Sequence, residues 1–325
     1  MKRVLSGIQP TGRLHLGNLI GAVENWVAMQ AGHDCYFFIA DYHALTTSYA
    51  ETKDLKENVR QVAIDLLSAG IAPERAVIFK QSDVPEHAEL HLLFSMITPL
   101  PWLERVPTYK SKIDELKEKD LGTYGFLGYP VLQAADILIY KADLVPVGED
   151  QLPHLELTRE IARRFNFLYK AVFPEPKGAL TKFPVLPGTD GRKMSKSYQN
   201  TIAISDPPEI IRKKVGIMVT DPARVRLGDP GHPEVCPAYQ FYKVFAKERT
   251  ATVAQECRSA QRGCVECKKE LAQVLIDYLA PILQARKELE KDPARLERVL
   301  ANGAQRARQT AAATLLEAKQ AIGLA

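Results

Sequence analysis

Arg3-Val-Leu-Ser6-Gly-Ile-Gln-Pro-Thr-Gly-Arg-Leu-His-Leu-Gly-Asn-Leu-Ile-Gly21 is the stretch from which the fold is read. It begins as a short apolar run of strand character, crosses a glycine-rich turn, and opens onto Leu19–Gln30, where apolar residues recur at helical spacing. A strand, a turn and a helix start together make an anion site. The first N–H groups of a helix lack partners within it, and the helix dipole favours negative charge there. The glycines of the turn let backbone and ligand approach closely, since no Cβ intervenes. His15 and Asn18 add side-chain donors on the same face. The expected occupant is a phosphate chain, although the spacing is neither the G-x-G-x-x-G of a dinucleotide fold nor the Walker loop.

Far downstream, after the turn Pro187-Gly-Thr-Asp-Gly191, stands Lys193-Met-Ser-Lys-Ser197. Two lysines and two hydroxyls together in a loop suit a polyphosphate whose charge redistributes during reaction. The two elements, in this order, resemble the paired motifs of the class I aminoacyl-tRNA synthetases. The first reads His15-Leu-Gly-Asn18, with Asn in place of a second His. The wider string Ser6-Gly-Ile-Gln-Pro-Thr-Gly12 is similar to the tryptophanyl-tRNA synthetases, where that Asn is usual. The resemblance covers nearly the whole chain, densely to Asn200 and more sparsely after it.

At 325 residues, with 46% hydrophobic and 25% charged residues, the chain has ordinary globular composition and length enough for two domains. No apolar run reaches the roughly 18 residues of a membrane span. Met1-Lys2-Arg3 is basic, but no apolar region with a cleavage site follows, so the expected location is the cytoplasm. The formal charge of +4 is unevenly placed: residues 206–325 hold 20 Lys and Arg against 15 Asp and Glu. Such an excess suits RNA held away from the chemistry, and equally a solvated helical surface.

The first half alternates strands and helices, which argues for a parallel sheet covered by helices. Val4–Ile8, Cys35–Ala40, Ala76–Phe79 and Leu144–Val147 read as strands; Gly17–Gln30 and Asp54–Ala69 read as crossover helices, the second ending at Gly70. Cys35-Tyr-Phe-Phe-Ile-Ala40 is near-continuously apolar, as in a strand buried on both faces. Ligands of open α/β sheets collect at the carboxyl ends of strands, which puts Gly7–Gln9 and Asp41-Tyr42-His43 beside one pocket. The charge run from Lys110 to Asp120 reads as an exposed helix. A further helix follows Gly148-Glu-Asp-Gln151 as far as Arg164, with Pro153 in its first turn. Beyond Ser197 the pattern becomes mainly helical. Asp292-Pro293 starts a helix whose apolar face is Leu296, Val299, Leu300, Ala304, Ala307, Ala311, Leu315 and Ala318.

The resemblance implies an α/β fold: a Rossmann-like, doubly wound parallel sheet with a C-terminal helical domain. Residues 1–205 would be the catalytic domain, with a dimer-interface insertion over 100–140. Residues 206–325 would be a helical, tRNA anticodon-binding domain whose last helix packs back. The implied reaction joins L-tryptophan to ATP as tryptophanyl-adenylate, with Mg²⁺, and then transfers it to tRNA(Trp). The partners implied are these substrates and a second copy of the chain in a homodimer, with no membrane and no DNA.

Tyr129-Pro-Val-Leu-Gln133-Ala-Ala-Asp136-Ile-Leu-Ile-Tyr140 reads as a buried helix, in which a carboxylate is costly unless it is paired or hydrogen-bonded. Indole has one N–H donor and no acceptor, so such a carboxylate suits it; a structural Asp paired with an Arg or a helix end is the other reading. By resemblance Asp136 accepts the indole N–H, and Tyr129, Gln133, Gln151, His43 and Gly7 line the tryptophan side, His43 equally as a supporting residue. Gln9, Pro10, Thr11, Gly17, Asn18, Gly148, Glu149, Asp150, Val185 and Lys193-Met194-Ser195-Lys196-Ser197 match the family's ATP side. Lys193, Lys196, His15 and Asn18 would carry catalysis. The tyrosine enzymes share the fold, both nucleotide motifs and the Tyr129–Gln133–Asp136 pattern; Ser6–Thr11, Val145–Gln151 and Glu156-Leu-Thr-Arg159 favour tryptophan. A synthetase-like RNA-binding protein without catalysis is the third reading; it would be expected to lack motif residues that are present here.

Cys236, Cys257, Cys264 and Cys267 follow C-x20-C-x6-C-x2-C, while Cys35 stands alone in a core strand. Disulfides are not expected in a cytosolic chain, which leaves metal or scattered thiols. A zinc ribbon usually shows two C-x-x-C pairs, and this chain has one; thiolate-only ligation at irregular spacing also fits an iron–sulfur cluster. Some bacterial members of the family carry a similar four-cysteine pattern with a 4Fe–4S cluster near the anticodon site, and this sequence resembles them. The expectation is therefore a 4Fe–4S site, with zinc as the alternative.

Overall fold

The computed structural model describes residues 1–107, 120–180 and 186–325. The charge run expected as a helix therefore lies outside the described residues, except for Asp120, and so does Val185.

Among the described residues, five strands form one sheet in the order β3-β2-β1-β4-β5, all parallel. They are β1 (Arg3–Ile8), β2 (Asp34–Ile39), β3 (Ala76–Lys80), β4 (Leu144–Val147) and β5 (Lys177–Leu180). The fold is a Rossmann-like α/β arrangement with a helical C-terminal region. β1 lies between β2 and β4, with Val4 opposite both Cys35 and Leu144. The chain winds outward from β1 in both directions, so a crevice opens at the carboxyl ends of β1 and β4.

The apolar run of β2 is explained by burial on both faces. Cys35, Phe37 and Ile39 point into one core and Tyr36 and Phe38 into another, because successive strand side chains alternate. The first core is covered by α1, which starts at Leu16–Asn18, passes through a π-helical turn at Leu19–Val23 and continues as Glu24–Met29. Trp26 from it stacks on Phe37 at 4.9 Å between ring centres. The helix Asp41–Ser48 (α2), absent from the sequence reading, follows β2, and Leu55–Ser68 (α3) supplies Val62, Ile64 and Leu66 to the first core. α3 ends at Gly70, whose φ of +106° is the left-handed conformation that stops a helix.

The second core lies under Glu86–Ser95 (α4), Leu100–Glu104 (α5), Tyr124–Ile139 (α6) and Leu152–Leu168 (α7). α6 is capped by Thr123, whose hydroxyl accepts the N–H of Phe126. α7 runs four residues beyond the expected Arg164; Phe165 is still buried, while Phe167 and Leu168 are exposed. β5 gave no strand signal, since Lys-Gly-Ala-Leu neither alternates nor forms an apolar run, and the strand is only an edge partner of β4.

Helices dominate the C-terminal part: α8 (Pro208–Gly216), α9 (Pro237–Phe245), α10 (Thr250–Arg258), α11 (Cys264–Lys291) and α12 (Pro293–Ala321). Ile211, Phe241, Leu271 and Leu275 of these helices share the first core with Leu16 and Val62. Asp292 caps α12 by accepting the N–H of Arg295 at 2.9 Å. Leu296 of α12 joins the first core and Ala304, Ala307 and Ala311 the second, so the helix crosses the β3 edge. A Cβ on Gly303 would stand 1.7 Å from the carbonyl oxygen of Ile78, so helix and strand backbones touch there. Among the described residues no helix is long and apolar enough to cross a membrane.

Candidate active site

A cavity of about 490 Å³ lies at the crevice between β1 and β4. Gly7 and Gln9 enter it from the end of β1, and Tyr129, Gln133 and Asp136 from α6. His43 comes from α2, Asp150 and Gln151 from the turn after β4, and Lys193 from the downstream motif. Of the expected Asp41-Tyr42-His43 edge, only His43 lines it. Asp41 is turned away and accepts from the N–H and hydroxyl of Ser82.

Asp136 sits 1% exposed at the cavity wall. His43 Nε2 donates to its Oδ2 at 2.7 Å, while Gln81 Nε2 at 2.7 Å and His87 Nδ1 at 2.6 Å both donate to Oδ1. His87 Nε2 in turn meets the hydroxyl of Tyr140 at 2.8 Å. Burial alone would raise the pKa of Asp136, but the charge and hydrogen bond of His43, with those of His87, outweigh it. The carboxyl is held below the usual carboxylate range. Oδ1 thus has both lone pairs engaged, whereas Oδ2 keeps one for a donor in the cavity. Phe38 walls the same space, and a Cβ on Gly7 would run into its ring at 2.5 Å. The hydroxyl of Tyr129 meets His154 Nε2 at 3.2 Å.

The glycine-rich turn is built around a reciprocal cap at the start of α1. Asn18 N–H donates to His15 Nδ1 at 3.2 Å, and His15 N–H donates to Asn18 Oδ1 at 3.1 Å. The cap sets the chemistry that remains: with Nδ1 accepting, His15 carries its proton on Nε2, and Asn18 offers its NH₂. Burial, then the charge of Lys196, lowers the pKa of His15 to about 4, so the ring stays neutral at pH 7. A Cβ at Gly17 would press on the His15 ring at 3.0 Å.

Lys193 and Lys196 divide. Lys193 lines the main cavity, whereas Lys196 Nζ docks on the turn, donating to Gly12 O at 2.8 Å and Thr11 Oγ1 at 3.2 Å. Burial lowers the pKa of Lys196 to about 8, against the opposing pull of Asp65. Between them Met194 is buried in the first core beside Gly17, so its side chain does not face the cavity. Asn200, which the sequence reading did not single out, organises this loop. Its Oδ1 accepts the N–H of Ser195 at 2.8 Å, and its Nδ2 donates to Asp190 Oδ1 at 2.7 Å and Lys193 O at 3.1 Å. Pro10 and Thr11 border a neighbouring hollow with Asn58, and Gly148 and Glu149 lie beside Asp150 in the turn after β4. Ser197 is exposed. His87 and Gln81 were also missed; Gln81 follows the carboxyl end of β3, the position that signals a ligand-facing residue in such sheets.

Cys236, Cys257, Cys264 and Cys267 lie outside this cavity. Cys236 precedes α9, Cys257 is near the end of α10, and Cys264 and Cys267 open α11. Arg224 Nη1 reaches the sulfurs of Cys257 at 4.0 Å and Cys264 at 3.9 Å. A Cβ on Gly231 would meet Cys257 Sγ at 2.5 Å. Burial raises the thiol pKa values of Cys236 and Cys257, and pushes that of Cys267 up to about 12. No group of three His, Cys, Asp or Glu side chains placed to hold a metal ion is found among the described residues.

The family described as "tRNA synthetases class I (W and Y)" matches residues 1–280. The tryptophan–tRNA ligase of Thermotoga maritima is 53% identical, over 99% of both chains. The chain belongs to the tryptophanyl-tRNA synthetases of class I. The tryptophan–tRNA ligase of Aquifex aeolicus is 45% identical, over 99% of this chain and 100% of its own. In three dimensions the tryptophanyl-tRNA synthetase of Campylobacter jejuni, crystallised with ADP and tryptophan, superposes with a TM-score of 0.90 at 36% identity. That match covers 99% of this chain and 100% of the other.

Proposed function

We infer that this chain is a tryptophan–tRNA ligase, activating L-tryptophan with ATP to the adenylate and then charging tRNA(Trp). One observation carries the reading: a single cavity at the sheet's switch point holds the buried Asp136 and also Lys193 of the downstream motif. An acceptor-only carboxylate for an indole N–H and a cation for phosphate thus share one space. The relatives, named as tryptophan–tRNA ligases, favour tryptophan over tyrosine.

The side chain of tryptophan enters between Phe38, Tyr129 and Gly7, with its N–H on Asp136 Oδ2 beside His43. Gln133 and Gln151 bracket its polar end. The tryptophan carboxylate is ionised at neutral pH, so it attacks the α-phosphorus without a general base. Rate enhancement then comes from alignment and from charge stabilisation. Gln9, Pro10, Thr11, Gly17, Asn18, Gly148, Glu149 and Asp150 hold the nucleotide. His15 Nε2–H, Asn18, Lys193 and Lys196 stabilise the pyrophosphate as it departs, while Ser195 and Ser197 flank it. Mg²⁺ would come with ATP and be held through its phosphates; the turn offers N–H groups, and Lys196 docked on it a cation.

The four C-terminal cysteines are not gathered as a metal site among the described residues; what supports a thiolate-ligated cluster of net negative charge is their chemistry, four soft sulfurs with the Arg224 guanidinium reaching Cys257 and Cys264. Cys236, Cys257, Cys264 and Cys267 would hold a 4Fe–4S cluster, whose role is structural support of the tRNA-binding part; zinc is the alternative. A homodimer is supported by exposed Leu92 on α4, Met96 just after it, Leu100 at the start of α5 and Tyr124 at the start of α6. Light scattering that finds monomers at micromolar concentration contradicts it. The protein acts in the cytoplasm, where its tRNA substrate is.

Charging of a tRNA(Trp) transcript tests the whole reading. Acylation with tryptophan and none with tyrosine is expected. Binding of the transcript without acylation by any amino acid points to an RNA-binding protein instead.

A further inference from the structure

Asp65 is fully buried on α3 and has no part in the chemistry set out above. Its Oδ2 accepts the backbone N–H of Leu14 at 2.8 Å, one residue before His15. Its Oδ1 accepts from Nη1 of Arg286, a residue 4% exposed on α11. The other guanidinium nitrogen of Arg286 donates to Gln61 and pairs with Glu290 at 3.0 Å. A buried ion pair is weak evidence of a role in stability, because apolar residues of similar volume generally serve as well. The bond to Leu14 points to a different use.

The backbone around His15 is pinned from two directions. Lys196 holds Gly12 O at 2.8 Å, Ile204 N–H donates to Leu14 O at 2.9 Å, and Leu16 N–H donates to Ile202 O at 2.9 Å. These ties come from the downstream motif and the segment after it. Asp65 supplies the tie from α3 and, through Arg286, from a helix whose first turn carries Cys264 and Cys267. Charge runs along the same line. Burial lowers the pKa of Lys196 and Asp65 opposes that. Burial likewise raises Asp65 to about 6, and Arg286 and the Leu14 N–H oppose the rise.

We propose that Asp65 is a positioning residue of the nucleotide-binding turn and that Arg286 keeps it ionised, so that α11 governs ATP use without touching ATP. The proposal rests on the assignment of this turn and Lys196 to ATP. With Arg286 removed, a buried Asp65 takes up a proton and loses its field at Lys196. Asp65→Asn and Arg286→Gln therefore remove the same thing, and their effects overlap instead of multiplying.

Tryptophan-dependent ATP–pyrophosphate exchange by the full chain is the test, varying each substrate while the other is saturating. If the wild type shows no exchange, the assignment to ATP fails first and this proposal with it. Given wild-type exchange, each single variant should lose about tenfold in kcat/KM for ATP, with KM for tryptophan unchanged within about twofold. The double variant should be no worse than either single. Arg286→Lys keeps a charge but cannot serve Asp65 and Gln61 as one fork, so it should lose about threefold with the same selectivity for ATP. Equal losses toward both substrates, multiplicative losses in the double variant, or no loss would overturn the proposal. Where thermal unfolding shows that a neutral variant does not fold, Arg286→Lys decides: an ATP-selective loss supports the pair, and a uniform or absent loss overturns it.

Discussion

Three donors converge on the carboxylate of Asp136, and its sequence context already marked it, because an unpaired Asp among Ala, Ile and Leu is costly. Its partners were not legible. Gln81 and His87 come from elements some 50 residues away, and nothing in a single sequence shows which of its helices will meet. Asp136→Asn should keep the fold but turn an NH₂ toward one of those donors and weaken the bond to the indole. The expected loss is about 1.5–3 kcal/mol of discrimination for tryptophan over phenylalanine, read from kcat/KM in exchange. Lys196 gives a pH prediction. Its pKa in the folded protein is about 8, below the ordinary lysine value, so its positive charge is present below pH 8 and lost as pH rises through it. kcat/KM for ATP in the free enzyme should fall above about pH 8, and Lys196→Arg should move that alkaline limb upward. A profile flat to pH 10 in the wild type would remove Lys196 from phosphate binding.

Elements were legible where one physical signal dominated. The near-continuously apolar β2, the glycine stop of α3 and the Asp–Pro start of α12 each have a local cause, and each stands within a residue or two of its expected place. α2, α4 and β5 did not, because short elements whose burial is decided by neighbours carry little periodicity. Gly303 is the residue in α12 whose meaning needed three dimensions. It stands among alanines as an apparent weak point, yet helix and β3 can touch only because it has no Cβ. Gly303→Ala should push α12 off the edge strand and cost about 1–3 kcal/mol in chemical unfolding; a gain in stability, as Gly→Ala gives in an open helix, would contradict that contact. At the start of α11 the prediction concerns iron. Protein purified without oxygen should be brown and contain about four irons per chain if the site is 4Fe–4S. Cys264→Ser should lose the colour and keep pyrophosphate exchange. Stoichiometric zinc without iron would replace the cluster with a zinc site.

Across the whole molecule, the sheet sets the order of events. β1 at the centre and the crevice beside β4 bring residues 7, 136 and 193 into one cavity, although they are far apart in the chain. Both motifs were legible because each is local. Their meeting was implied by resemblance, and so was the identity of the amino acid between them. The central claim is that this cavity joins tryptophan to ATP. Pyrophosphate exchange into ATP, measured with each of the twenty amino acids in turn, tests it most directly. The account predicts exchange that requires tryptophan and Mg²⁺ and is negligible with tyrosine or phenylalanine. Exchange driven by tyrosine, or no exchange with any amino acid while ATP still binds, would contradict it.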